Sequence, residues 1–333
     1  MPPTLPIELE LYILALSIPP CTLRTLPSRR ELCRTLSLVR REWTQVAQRA
    51  LFECPKVFLR DTEEGREEAR GWIERRPKVQ EEEEEEEQQQ QRGGPTAVEL
   101  RFGEFDLDGG MTVFEEVVRA EWPQVESLLV REPEAALTSL QAYTDLKRLS
   151  WFGGLNTNGN NVWFLHLPSS SLVSLTLESV SLRFRSFSDP IDDDSDSLPP
   201  FPHLETLVLA DAFGYDFPQY GLESMPSLKV LAWSHVGAAP CVFDLLWNAG
   251  EALKLDHLLV AGEKEMSASQ WASCGVKEAF EGWTPKSITL VDPPRERMGE
   301  VEEWCREKGV KLRYLSKEEG EELDLELWAL SLA

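Results

Sequence analysis

The sequence predicts an α/β fold in two parts, a short helical module followed by an irregular α/β solenoid. Three observations predict it. Apolar residues in the first fifty-odd positions fall at helical spacing, and a phrase of the form apolar-x-x-apolar-x-apolar recurs from Val98 onward. Several segments between those phrases again carry helical spacing. The expected organisation is residues 1–55 for the module and 56–333 for the solenoid.

In the first part, Leu5-Pro6 sets a proline at or near the first helical position, where its missing N–H costs nothing. Two apolar stripes follow, Ile7, Leu11 and Leu14, and Leu9, Ile13 and Leu16, so most of the helix circumference needs covering. Pro19-Pro20 ends this helix. A second helix is expected over Ser28–Leu51, with Leu32, Leu36, Val39, Trp43, Val46 and Ala50 on one side. By spacing alone these segments equally describe an ordinary helical hairpin whose stripes are core.

Residue identities add to the spacing. Leu5, Pro6, Ile13, Leu36, Leu38, Val39, Arg41, Trp43, Val46 and Ala47 occur in the order of an F-box, and residues 1–55 resemble that module. The resemblance implies docking onto a Skp-type adaptor through Leu5, Pro6, Ile7, Leu9, Ile13, Val39 and Trp43. Through the adaptor it implies assembly with a cullin and a RING subunit. The stretch Ser17–Arg34 is longer than the family's turn and is expected to carry an insertion.

The recurring phrase centres on Leu128, Leu149, Leu175, Leu207, Leu231, Leu258 and Ile288, at intervals of 21 to 32 residues. Each phrase reads as a short strand, and no single strand with its return segment can bury its own apolar face, so neighbours must stack. The intervals lie in or near the leucine-rich-repeat range, and this part of the chain resembles that family. Return helices are expected at Thr112–Trp122, Cys241–Leu253 and Met298–Lys308, and a closing strand at Val310–Leu315. One departure stands out. Where a regular leucine-rich repeat holds Asn or Cys after the strand, this chain has Pro133, Gly154, Val180, Ala212, Val236 and Glu263. The side-chain ladder is absent, and an irregular arc is expected.

Two inserts are acidic. Residues 79–96 contain Glu81–Glu87 and Gln88–Gln91 and cannot bury apolar surface, so they are expected to be disordered. The flanking strand Val57–Arg60, helix Glu63–Arg76 and strand at Val98–Phe102 make that run an expanded loop within a first coil. Lengthening a loop costs only about 0.6 kcal/mol per doubling. A second acidic loop covers about 186–199.

The formal net charge of −24 argues against nucleic acid or an anionic membrane as partner and allows a partner protein with a basic surface. Neither a secretory signal nor a membrane span is read in the sequence, and six scattered cysteines suit reduced thiols in the cytoplasm or nucleus. His166, His203, His235 and His257 form no metal-ligand pattern. With no phosphate loop and no nucleophile elbow either, no enzyme activity and no cofactor are expected.

The expectation is therefore a non-catalytic substrate receptor of a Skp–cullin–F-box ubiquitin ligase, holding an unidentified target protein near the ubiquitin-charged enzyme. Strand alternation assigns to the target-facing side the residues flanking each central Leu, among them Leu129, Arg148, Ser150, Thr176, Val208, Val230, His257 and Leu259. A repeat scaffold unconnected to ubiquitin, its N-terminal helices acting only as a cap, and a cryptic hydrolase are the alternatives.

Overall fold

The computed structural model describes residues 6–22, 24–52, 56–59, 97–102, 125–131, 140, 145–153, 161–163, 167–183, 200–212, 221–236, 242–250, 253–262, 279–280, 283–293 and 298–333. The chain divides into two compact units, Met1–Arg131 and Glu132–Ala333. The expected module boundary near residue 55 falls inside the first.

The first unit holds helices α1 (Ile7–Ser17), α2 (Leu26–Val39) and α3 (Arg41–Phe52). Strands β1 (Lys56–Leu59), β2 (Ala97–Phe102) and β3 (Ser127–Arg131) follow, paired in parallel in that order. The single helix expected over Ser28–Leu51 is in fact two. Arg40 is extended (φ −151°, ψ 137°) and breaks it. Folding α3 back on α2 buries Cys33, Ala47 and Ala50 with Ile18, and packs Leu36, Val46 and Leu51 against them. One straight helix would leave that stripe in water.

The insertion expected in Ser17–Arg34 is also corrected. Helix α2 begins at Leu26 with Pro27 in its first turn, so only residues 18–25 connect it to α1. Buried Arg29 fastens this connection by donating to the carbonyls of Pro19 and Ala50. The second of these lies near the end of α3, where helical carbonyls lack partners of their own. Arg30 pairs with the buried carboxylate of Glu99 and ties α2 to β2.

In the second unit seven strands form one parallel run in sequence order: β4 (Arg148–Phe152), β6 (Ser174–Glu178), β8 (Thr206–Ala210), β9 (Val230–Ser234), β10 (His257–Ala261), β11 (Ser287–Val291) and β12 (Lys311–Leu315). A smaller parallel pair, β5 (Asn161–Trp163) with β7 (Ser181–Arg183), was not anticipated by the repeated phrase. The central residues Leu149, Leu175, Leu207, Leu231, Leu258 and Ile288 all lie in strands and are fully buried, as is Leu128 in the first unit. Partners run in strict register, Leu149 beside Leu175, Leu175 beside Leu207 and so on to Ile288 beside Leu312.

With no Asn ladder, backbone hydrogen bonds fasten the turns that follow the strands. Directly after a strand, Ser179, Asp211, His235 and Asp292 adopt left-handed φ of 47–55°. Each then donates its N–H to the last carbonyl of the next strand, at Ala210 (2.9 Å), Ser234 (3.0 Å), Ala261 (3.4 Å) and Leu315 (3.0 Å) respectively. The turn aims the following apolar side chain inward, and Val180, Ala212 and Val236 are buried. Gly153 occupies the equivalent place after β4 and bonds the carbonyl of Glu178. A Cβ there would overlap the carbonyl oxygen of Ser179, so only glycine fits.

Helices α4 (Val242–Ala249) and α5 (Gly299–Lys308) fill two of the expected return segments, and a 3-10 turn at Gly221–Ser224, not among the expected elements, lies between β8 and β9. Gly309, left-handed at φ 71°, ends α5 just before β12. Phe280 stacks on Trp304 of α5 and meets Trp283 edge-on, with centroids 5.4 and 4.9 Å away. In the second unit the parallel run is open, since β4 and β12 do not pair. The expected helices Glu63–Arg76 and Thr112–Trp122 and both acidic inserts lie outside the described residues. Among those residues no helix is long and apolar enough to cross a membrane.

Residues 316–333, to which the sequence assigned nothing, form two more helices, α6 (Lys317–Glu322) and α7 (Leu325–Leu330). Helix α6 starts in a capping box. The Ser316 hydroxyl accepts from the Glu319 N–H, and the Glu319 carboxylate accepts from the Ser316 N–H. The Ser316 N–H first, and its hydroxyl second, hold the Glu319 carboxyl below its ordinary pKa. Asp324 caps α7 by accepting from the Leu327 N–H at 2.9 Å.

Candidate functional site

Two surfaces emerge, one in each unit. In the first, α1 is apolar on opposite sides. Leu14 and Ile18 point inward and are buried, whereas Leu9 (49% exposed), Tyr12 (63%), Ile13 (50%) and Leu16 (69%) remain in water. Those four stand at i, i+3, i+4 and i+7 and form one continuous stripe. At the corner between α2 and α3, Leu38 and Val39 are exposed as well, and Arg40 pairs with Glu10 on α1. Apolar residues scattered singly on a surface need no explanation, but a stripe of four on one helix face is a candidate interaction site.

Of the residues expected at the adaptor interface, Leu9, Ile13 and Val39 are exposed, Pro6 is exposed, and Ile7 and Trp43 are half-buried. Leu5 lies outside the described residues. The indole Nε1 of Trp43 is buried with no hydrogen-bond partner among the described residues. Tyr12 and Leu16 belong to the same stripe. They were missing from the expected set because the motif does not specify those positions, although counting three and four residues from Leu9 and Ile13 reaches them.

The second surface is the side of the sheet assigned to a target. Register aligns Arg148, Ser174, Thr206, Val230, His257 and Ser287 across the strands, and Ser150, Thr176, Val208, Ala232, Leu259 and Thr289 in the next row. The expectation that this side stands open is overturned. Helix α7 packs on β8 and β9. Leu325 and Ala329, with Leu323 and Trp328 against them, form one core with Val208, Ala210, Val230, Ala232, Leu259 and Ala261.

Ser150, Thr176, Val208, Val230 and Leu259 are consequently interior, each at most 3% exposed. Leu129, in the first unit, is fully buried as well, in register with buried Glu99 that Arg30 holds. Only Arg148 and His257 keep partial access to water. Alternation says which residues share a side of a strand, and is silent on what packs there.

The covering segment brings a charge with it. Glu326 is 5% exposed, and one of its carboxylate oxygens accepts from Nε (3.2 Å) and Nη2 of Arg148 and from the Ser150 hydroxyl. A buried ion pair stands only when its partners meet in good geometry with further hydrogen bonds, and here the guanidinium and the hydroxyl supply both. Beside Arg148 in register, the Ser174 hydroxyl is buried without a partner among the described residues.

No protein-family model matches the chain, and no characterised protein matches it either.

Other titratable groups lie apart from both surfaces or on their margins. Nδ1 of His257 lies 2.8 Å from the Ser287 hydroxyl. Burial lowers the pKa of this imidazole, with Asp256 opposing and Lys286 and Lys311 adding to the effect. His203 is exposed, His235 is a left-handed turn residue, and His166 lies outside the described residues. Burial pushes the Cys305 thiol up to about 11, which leaves it almost wholly protonated at neutral pH. Among the described residues no three His, Cys, Asp or Glu side chains converge to hold a metal ion. The first surface is apolar and exposed on α1, and the second is an apolar strip covered by α7, with the Arg148–Glu326 pair beside it.

Proposed function

We propose that this protein is a substrate-recognition subunit of a Skp–cullin–F-box ubiquitin ligase, docked to its Skp-type adaptor through the first unit. One observation carries the reading. A three-helix module that otherwise buries its apolar residues leaves Leu9, Tyr12, Ile13 and Leu16 uncovered on α1, with Leu38 and Val39 at the α2–α3 corner. Helices that are apolar all round belong in interiors, so α1 is complete only with a partner on its free side. Covering the exposed part of these side chains contributes about 25 cal/mol per Å² of apolar surface removed from water, which favours association.

On this reading the second unit, a leucine-rich-repeat-like run of parallel strands, carries target recognition. The receptor does no covalent chemistry; it raises the effective concentration of the target beside the ubiquitin-charged enzyme.

Co-expression with a Skp-type adaptor tests the proposal. The intact chain is expected to retain the adaptor through purification, and the variant Ile13→Glu with Leu16→Glu to lose it while keeping its circular dichroism and melting temperature. Failure of the intact chain to hold the adaptor, or equal retention by the double variant, rejects the assignment. The residues replaced are exposed, so loss of folding does not confuse the result.

A further inference from the structure

The sheet side of the second unit is not built as plain core. A surface meant only for permanent burial is apolar, because every buried polar group must find a partner or cost free energy. Here the covered side is apolar at Val208, Ala210, Val230, Ala232, Leu259 and Ala261 and polar at Arg148, Ser150, Ser174, Thr176 and Thr206. Glu326 answers Arg148 and Ser150, and the Ser174 hydroxyl finds no partner among the described residues. The cover itself is thin. Helix α7 has six residues, too few to be helical in water without a surface to lie on. Helix α6, which leads to it, buries none of its residues.

We infer that this side of the sheet is a receptor site for a short amphipathic helical peptide bearing a carboxylate between apolar residues, and that residues 323–333 occupy it in cis. The occupant is the template for the external ligand. Asp324 caps the turn, Glu326 enters the Arg148–Ser150 fork, and Leu325, Trp328 and Ala329 fill the apolar floor over β8 to β10. A partner segment with the same order of groups makes the same contacts, and one with an additional acceptor reaches Ser174. Because ligand and cover compete for one floor, apparent affinity is reduced by the fraction of time the site is closed. The site thus favours partners that match the cover and extend beyond it. This inference rests on reading the second unit as the recognition part, and its test makes no use of the adaptor, so either can fail without the other.

The probe is a labelled synthetic peptide of residues 316–333, titrated into the full-length protein. Unmodified protein is expected to bind it at least tenfold more weakly than the variant Leu325→Asp, whose own cover is weakened. Adding Arg148→Glu to that variant is expected to reverse the gain, and so is a peptide carrying Glu326→Gln. A folded Leu325→Asp protein that binds no peptide overturns the inference. Hydrogen exchange on the unmodified protein decides without any variant. Amides of Leu325–Leu330 are expected to exchange through a local opening while β8 to β10 stay protected. Exchange of α7 only together with those strands makes it permanent core and overturns the inference. A dimer of the unmodified protein that Leu325→Asp dissolves would assign the site to a second copy of the chain and reject an external peptide.

Discussion

Helix α1 and the β8–β10 strip are both apolar surfaces, and they are treated in opposite ways. The stripe on α1 stays in water although a neighbouring helix of similar length is packed. The strip on the sheet is covered by a six-residue helix that brings its own buried carboxylate. The lesson concerns what exposure means. Apolar surface left open signals a partner that is expected from outside, whereas apolar surface closed by a short, ion-paired segment signals competition between inside and outside.

The same type of substitution should therefore have opposite consequences in the two places. Leu259→Glu puts a carboxylate into the apolar core beneath α7. It is expected to cost about 4 kcal/mol, read as a lower urea midpoint for the second unit. Ile13→Glu with Leu16→Glu should leave stability within about 0.5 kcal/mol of the parent, since both sites are already wet. Adaptor affinity should instead fall at least about 100-fold, measured by calorimetry on the purified pair. If the two variants behave alike, the contrast between the surfaces is lost.

Glu326→Ala sharpens the account of the cover. It leaves Arg148 and Ser150 without their acceptor and should cost about 2 kcal/mol by urea unfolding, with a smaller loss for Glu326→Gln, which keeps an oxygen in place. Gly153→Ala probes the fastening between coils and is expected to cost about 1–3 kcal/mol, because a methyl there meets the Ser179 carbonyl. The smallest effect belongs to His257. Its folded pKa lies below the unfolded value of 6.5, so the neutral form contributes stability above that value and the contribution fades as pH falls through the folded pKa. NMR titration should locate that pKa below 6.5, and His257→Gln should remove a slight acid sensitivity; a His257 that titrates above 6.5 contradicts the burial described here.

Much of the strand framework was legible because Leu and Ile at the centre of each phrase have no alternative but the core. The corner at Arg40 was not. Leu32, Leu36, Val39, Trp43, Val46 and Ala50 keep helical spacing straight through it, and no Gly or Pro marks the break. Packing of α3 against α2 makes the turn, and packing between elements is outside what periodicity reports. At the candidate surfaces the balance differs by unit. Leu9, Ile13 and Val39 were found from motif positions, and their exposure adds Tyr12 and Leu16. On the sheet, pleating grouped the residues that share one side, but α7 is too short to announce itself by spacing, and its contact with β4 spans 178 residues of sequence from Arg148 to Glu326.

The left-handed residues after β6, β8, β9 and β11 have a consequence for how this chain can change. An Asn ladder ties each coil to a particular side chain at a particular place, so every coil must keep that residue and nearly the same length. Here the joint is made of peptide groups, and Ser, Asp and His all serve at it. Spacer length and side-chain identity are thereby released from the joint. In the second unit, coils of 24 to 32 residues sit in one register, and sequence can be added between strands without disturbing either neighbour.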